Sequence, residues 1–360
     1  MNPFRAQVLV LFVTAFFTAA WSLGQTTTRA SDQAAPGTGT LIVLNKDGAS
    51  ASLLDRATGE EFARLDTGTG PHEVAVSPDG TIAVVGNYGA REPGHTLSVI
   101  DLVAQRVVKT IDLVKYHRPH GIMYLPDGER VVVTAEAERK LLVVNINRGE
   151  VEQAIDTGAD VSHMVVLSPD AKRAYVTNIR SGSLTVIDLE KGERNKIVQT
   201  GQGAEGMDIS PDGREVWVGN RAQDTVSVVD TRSLEVVATL NCATFPIRLK
   251  FTPNGEHVLV SNARSGDVAV FDADSREIVK RIEMAKGWQP PTDADGNVFS
   301  QGPVPIGILI PPDGKHAYIA NTNVNRVTVI DLETLAITGR LTAGMRPDGL
   351  AYSPLVLAVD

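Results

Sequence analysis

The chain of 360 residues has a single cysteine, Cys242, so no internal disulfide can close. It also lacks an excess of cations, since 34 Lys and Arg stand against 43 Asp and Glu, a formal charge of −9. With only 5 % aromatic residues, that balance disfavours a broad nucleic-acid surface, which needs basic charge and stacking platforms. Short metal motifs such as HExxH and CxxC are missing, as are a phosphate loop, a Ser-His-Asp spacing and the Cys-x-x-Cys-His of covalent haem attachment. A site here has to be assembled from distant parts of the chain.

What is present is a repeat. Val161 to Gly192 reads as a short apolar run, a Ser168-Pro169-Asp170 turn, the run AYVTN from Ala174 to Asn178, a Ser181-Gly182 break, and a third run ending at Asp188. Runs this short suit buried strands rather than helices, and proline followed by aspartate suits a tight turn. The turn proline recurs at Pro78, Pro126, Pro169, Pro211, Pro253, Pro312 and Pro354, at intervals of 42 to 48 residues except for one of 59. Nine residues later stands Asn87, Asn178, Asn220, Asn262 or Asn321, with Ala135 as the exception. Asp188, Asp230, Asp272 and Asp331 follow ten residues after that, with Asn145 in place of the acid once and Asp101 displaced. Asn45 and Asp55 keep the spacing but have no strand in front of them, and the missing strand is supplied by Gly349 to Ser353.

Four short strands in a unit of roughly 40 to 45 residues is the period of a propeller blade. The expected fold is all-β, a seven-bladed β-propeller of four-stranded antiparallel blades, its ring closed by N- and C-terminal strands sharing one blade. The repeat makes residues 40–360 a single domain. Residues 1–24 differ in kind: Arg5 is the one charge, Val8 to Ala20 is apolar, and Ser22-Leu23-Gly24 offers small residues for a signal peptidase. The reading is a signal peptide cleaved before Gln25, a flexible linker over 25–39, and a periplasmic or secreted product with no stable membrane span. An uncleaved anchor is the alternative, although the run is short for a bilayer. Loss of Arg5 takes the charge from −9 to −10.

The AYVTN run, the SPDG turns at Ser77 to Gly80 and Ser210 to Gly213, and LTVIDL and VTVIDL at Leu184 and Val327 resemble the YVTN repeat. The chain is similar to YncE-like YVTN β-propellers over about residues 40 to 354. The resemblance implies the propeller fold and leaves function open. Architectures of this kind include the haem d1 domain of nitrite reductases, lactonases, surface-layer proteins and small periplasmic binding proteins.

Departures from the repeat concentrate on one face. The connections between blades and the loops between second and third strands carry the extra residues: four within YGAREPGH, a slight lengthening over Val114 to Pro119, and about 17 between Met284 and Pro303. Lengthened loops on a rigid scaffold are where binding sites sit, though drift in exposed loops gives the same pattern. Trp288, Pro290 and Pro291 in the largest insertion suggest a lid or a docking edge. Six residues before each turn proline, where the inner strand begins, stand Asp348, His72, His120, His163, Glu205, Ile247 and Ile306 in ring order. His72, His120 and His163 with a nearby carboxylate are a donor set for zinc, copper or iron with an open position. One imidazole alone suffices for haem iron or as a general base. A Pro-His pair is equally an ordinary variant of the repeat whose imidazole bonds a neighbouring backbone group.

Arg180 and Arg264 occupy the same loop on two blades, Arg221 the equivalent loop between them, and Arg248 follows Ile247. Guanidinium groups at one mouth favour a carboxylate or phosphate. Asp55 and Asp230 are expected to accept turn amide bonds, and Cys242 to pack as a small hydrophobe. The favoured reading is a monomeric, non-enzymatic envelope module binding a small anionic ligand or a partner protein. The alternatives are a transition-metal or haem carrier or a lactonase-like hydrolase using the histidines, and, from the resemblance alone, single-strand DNA binding.

Overall fold

In the computed structural model, residues 37–289 and 302–357 are described, and they form seven four-stranded antiparallel sheets. The first blade pairs Pro347–Ser353 with Thr40–Asn45, so strands from the two ends of the chain share one sheet, as the repeat count requires. Six further blades follow in chain order, with inner strands Pro71–Val76, Pro119–Tyr124, Ser162–Leu167, Ala204–Ile209, Pro246–Phe251 and Pro305–Leu309. Each inner strand touches the next around the ring, and the ring closes from Pro305–Leu309 back to Pro347–Ser353.

Second and third strands are sandwiched between neighbouring blades and read apolar without alternation. Arg130–Ala135 (RVVVTA) and Ser183–Asp188 (SLTVID) are buried almost throughout. Fourth strands such as Glu193–Gln199 face outward and are mostly exposed.

The polar marks of the repeat have local jobs. Asn87 donates to Thr96 and Ser98 on the third strand and accepts from the Gly68 amide in the inter-blade connection. Asn45 does the same with Ser50, Ser52 and the Gly344 amide. Asp55 accepts from the Ala57 and Thr58 amides, and Asp230 from those of Arg232 and Ser233, so these acids close turns. The residue before the repeat asparagine, or before Ala135 in its place, reaches across to the next blade: Thr134 Oγ1 donates to the His163 carbonyl and Thr177 Oγ1 to the Glu205 carbonyl, both at 2.6 Å. Ser261 Oγ donates likewise to the Ile306 carbonyl.

Every inner strand carries a register shift near its start. In the second blade Pro71 pairs with Asn87 and Val74 with Val85, so His72 and Glu73 together oppose Gly86. The same two-against-one count places His120 and Gly121 opposite Thr134, His163 and Met164 opposite Thr177, and Glu205 and Gly206 opposite Gly219. A bulge of this type re-aims side chains and bends its strand. The second bulge residue is glycine in four blades, where backbones crowd; a Cβ at Gly307 would lie 2.1 Å from the Asp348 carbonyl oxygen.

Thr177→Val keeps the shape but strands the buried Glu205 carbonyl. A stability loss of about 1–3 kcal/mol is expected, measured as a lower urea midpoint at unchanged slope.

Candidate functional site

The bulges bring the ring residues together at one end of the channel. Asp348, His72, His120, His163 and Glu205 border a cavity of about 670 Å3 with Ile247 and Ile306. All five polar residues are 8 % exposed or less.

A second tier comes from the residue just after the repeat asparagine, at the end of each second strand. Lys46, Tyr88, Glu136, Ile179 and Arg221 all line the same cavity. None but Arg221 stands out in the sequence, yet the signal was a fixed offset of one from Asn45, Asn87, Ala135, Asn178 and Asn220.

The two tiers are wired to each other. Lys46 Nζ lies 3.1 Å from His72 Nε2 and 3.7 Å from Asp348 Oδ2. Tyr88 donates its hydroxyl to Glu136 Oε1 at 2.8 Å, while its ring stacks on His72 at 4.6 Å between centroids. Arg118 lies over the Tyr88 ring as well, at 4.6 Å. His163 Nδ1 is 2.8 Å from Glu136 Oε2, and its Nε2 is 3.3 Å from Glu205 Oε1 without hydrogen-bond alignment. Glu205 also pairs with Arg221 and, at 3.3 Å, with Arg248.

Below the histidines, Arg248 reaches across the axis. Its Nε and Nη2 donate to Glu73 Oε1 at 3.1 and 2.8 Å, joining the sixth blade to the second. Arg248 borders the mouth cavity, and both residues border a lower chamber of about 470 Å3 among Met123, Met164 and Leu350. The ion pair therefore divides the channel. Glu73 was not marked by the sequence reading; it is the second bulge residue, and only the register shows it aimed at the axis.

The three imidazoles meet ring to ring in a cluster, whereas a metal donor set was the expectation. His120 and His163 have ring centroids 3.6 Å apart, and His72 meets His120 edge to face at 4.7 Å. The first pair is tilted by 31° and the second nearly perpendicular at 83°. Among the described residues no group of three or more His, Cys, Asp or Glu is arranged to hold a metal ion. His120 is the singular member: both ring nitrogens are buried without a hydrogen-bond partner.

Burial lowers the His72 pKa to about 4 despite Asp348, and drives His120 well below the usual imidazole range, helped by the His163 charge. Burial would lower His163 as well, but the hydrogen bond to Glu136 and the nearby Glu205 carboxylate outweigh it and raise its pKa. Glu205 sits at about 2: burial opposes its ionisation, but His163, Arg248 and Arg221 overcome that. Burial raises Glu73 by more than Arg248 lowers it.

Two arginines differ in placement. Arg180 is exposed, lines the cavity and forms no ion pair within the described residues. Arg264 is a correction to the expected mouth: it is exposed outside the cavity lining, with its guanidinium 4.5 Å over the Phe245 ring. Phe245, from the connection between blades, also lies 5.1 Å under Arg221 and so holds Arg264 to the side. Cys242 is half-buried against the sixth-blade core, its Sγ 3.2 Å from Asn262 Oδ1, and burial pushes its thiol up to about 11. Trp288 is partly exposed, and Pro290 and Pro291 lie outside the described residues. A larger groove of about 1140 Å3 opens among turns of the sixth and seventh blades. Three of its acids are engaged, Asp313 with Arg56, Asp331 with Thr334 and Glu256 with Asn254.

The chain matches the family model described as the Cytochrome D1 heme domain over residues 127–248, about a third of its length. Among solved structures it is similar to the hydrazine synthase of Kuenenia stuttgartiensis, with 22 % identity, a TM-score of 0.67, and coverage of 79 % of this chain and 90 % of that one. A protein of unknown function from Desulfotomaculum acetoxidans is similar at 14 % identity and a TM-score of 0.72, covering 88 % and 99 %. No curated protein matches. At these identities the likeness shows the propeller fold.

The opposite pKa shifts give a titration signature. Histidine 15N spectra at pH 6 should show His72 and His120 neutral and His163 protonated; three rings titrating together would contradict the wiring. Between pH 6.5 and about 4 the unfolded chain takes up protons that folded His72 refuses, so this contribution to stability falls as pH is lowered. The His163 contribution is complete below pH 6.5 and is lost as pH rises through its raised folded value.

Proposed function

We propose that the protein is an exported ligand-binding propeller whose histidine-lined mouth takes a small molecule bearing a carboxylate. The observation that carries this is Arg180, a cavity-lining guanidinium with no acid partner in the described structure, beside acids that are already paired. A guanidinium offers a carboxylate two parallel donors. Neutral His72 and His120 line the mouth without a charge that would repel or neutralise the ligand. The three carboxylates of the mouth, Glu136, Glu205 and Asp348, disfavour a polyanion such as DNA. Export rests on the apolar leader with its small-residue end, and the YVTN-like repeat supports an envelope role. No helix among the described residues is long and apolar enough to cross a membrane.

A second reading is an iron tetrapyrrole. It is favoured by the match to the Cytochrome D1 heme domain and by the unpartnered nitrogens of His120. A neutral imidazole suits haem iron, so the donor chemistry fits; His120 would hold the iron, and Arg180 and Lys46 would meet the carboxylates of the macrocycle. Such a group would supply redox chemistry.

Calorimetric titration with a panel of mono-, di- and tricarboxylates, with phosphate and sulfate alongside, tests the first reading. Arg180→Ala should weaken carboxylate binding about tenfold or more, the value of a charged hydrogen bond, and Arg264→Ala should leave it unchanged. Equal losses in both variants, or no carboxylate binding, would count against it. Titration with haemin separates the second reading: a Soret shift abolished by His120→Ala supports it, and an unshifted band removes it.

A further inference from the structure

A second histidine cluster lies outside the mouth, at the junction of the second and third blades. His95 ends the YGAREPGH insertion and His117 lies in the lengthened connection before Pro119. Their ring centroids are 5.8 Å apart. Each ring is held from behind by a carboxylate: His95 Nδ1 is 2.9 Å from Asp112 Oδ1, and His117 Nδ1 is 2.8 Å from Glu138 Oε1. Those carboxylates are themselves anchored, because Asp112 accepts from the Val114 amide and Glu138 from the His117 amide. Backbone bonds from Leu113 to the His95 carbonyl and from Arg118 to the Gly94 carbonyl tie the two loops together. Both imidazoles remain substantially exposed, at 45 % and 38 %, and neither Nε2 bonds another described residue.

We propose that His95 and His117 form a two-imidazole site for a late first-row dication such as Zn2+, Ni2+ or Cu2+. A metal-bound histidine commonly gives its other ring nitrogen to a carboxylate, which fixes the tautomer and makes the ligating nitrogen more basic. Here both rings already have that partner, leaving Nε2 as the ligating atom on each. With Zn–N distances near 2.1 Å, two imidazoles on one tetrahedral ion have centroids roughly 5 Å apart. The rings meet edge to face with planes 73° apart, so bringing both Nε2 atoms onto one ion requires the side chains to rotate. With two protein ligands, and Asp112 and Glu138 behind the rings rather than on the ion, the remaining positions are open to water or an incoming ligand.

The test uses untagged full-length protein stripped with a chelator, titrated calorimetrically with ZnCl2 and NiCl2, and with Cu2+ followed by electron paramagnetic resonance. One saturable site is expected, with hyperfine structure from two imidazole nitrogens. His95→Ala and His117→Ala should each weaken binding tenfold or more, Asp112→Asn and Glu138→Gln by about 10- to 100-fold, and His257→Ala not at all. Both histidines are exposed, so the variants should keep the wild-type circular dichroism. Binding that survives in both histidine variants, or no saturable binding by the wild type, overturns the proposal.

Discussion

A two-against-one bulge at the start of every inner strand decides what faces the axis. An unbroken strand would send alternate side chains to opposite faces. The bulge instead lets neighbours in sequence, His72 and Glu73, both serve the channel: one in the mouth, the other in the pair with Arg248. That arrangement needs room, which glycine supplies in four blades and which the hydroxyls of Thr134, Thr177 and Ser261 pin by bonding the next blade's ring carbonyl.

The Arg248–Glu73 pair spans the channel with both side chains largely removed from water. Pairs of this kind add little net stability, but removing one partner leaves a buried charge and costs several kcal/mol, about 3–5 in measured cases. Its effect is geometric: it fixes the floor of the mouth, so the histidines rest on a charged partition rather than an open pore. Above it, Glu205 gathers His163, Arg221 and Arg248. With those charges engaged locally, His120 is left with two ring nitrogens lacking hydrogen-bond partners, and Arg180 with no ion pair among the described residues.

Much of this was legible in the sequence. The turn prolines and the Asn and Asp offsets give the blades and the shared terminal sheet, and the position six before the proline gives the inner ring, since each depends on short-range spacing. The partners of that ring were not legible. Lys46, Tyr88 and Glu136 are one residue beyond a conspicuous repeat position, but nothing local says that this offset faces the cavity. Glu73 is adjacent to a ring residue and would face away on a regular strand; only the register shift aims it inward to meet Arg248, which the sequence had already placed at the mouth. Arg264 failed for a tertiary reason, because Phe245 from a neighbouring connection captures a side chain whose loop sequence matches that of Arg180. Residues 1–36, and residues 290–301 of the largest insertion, lie outside the described residues.

The central claim is that the histidine mouth, and neither the lower chamber nor the turn-side groove, is where a molecule is held. A high-resolution crystal structure of protein isolated from its native cells, without added ligand, tests it most directly. The account predicts non-protein density in the mouth within hydrogen-bonding distance of Arg180 and above His120. A mouth filled by ordered water alone, with a bound molecule below the Arg248–Glu73 partition or among the turns, would contradict it.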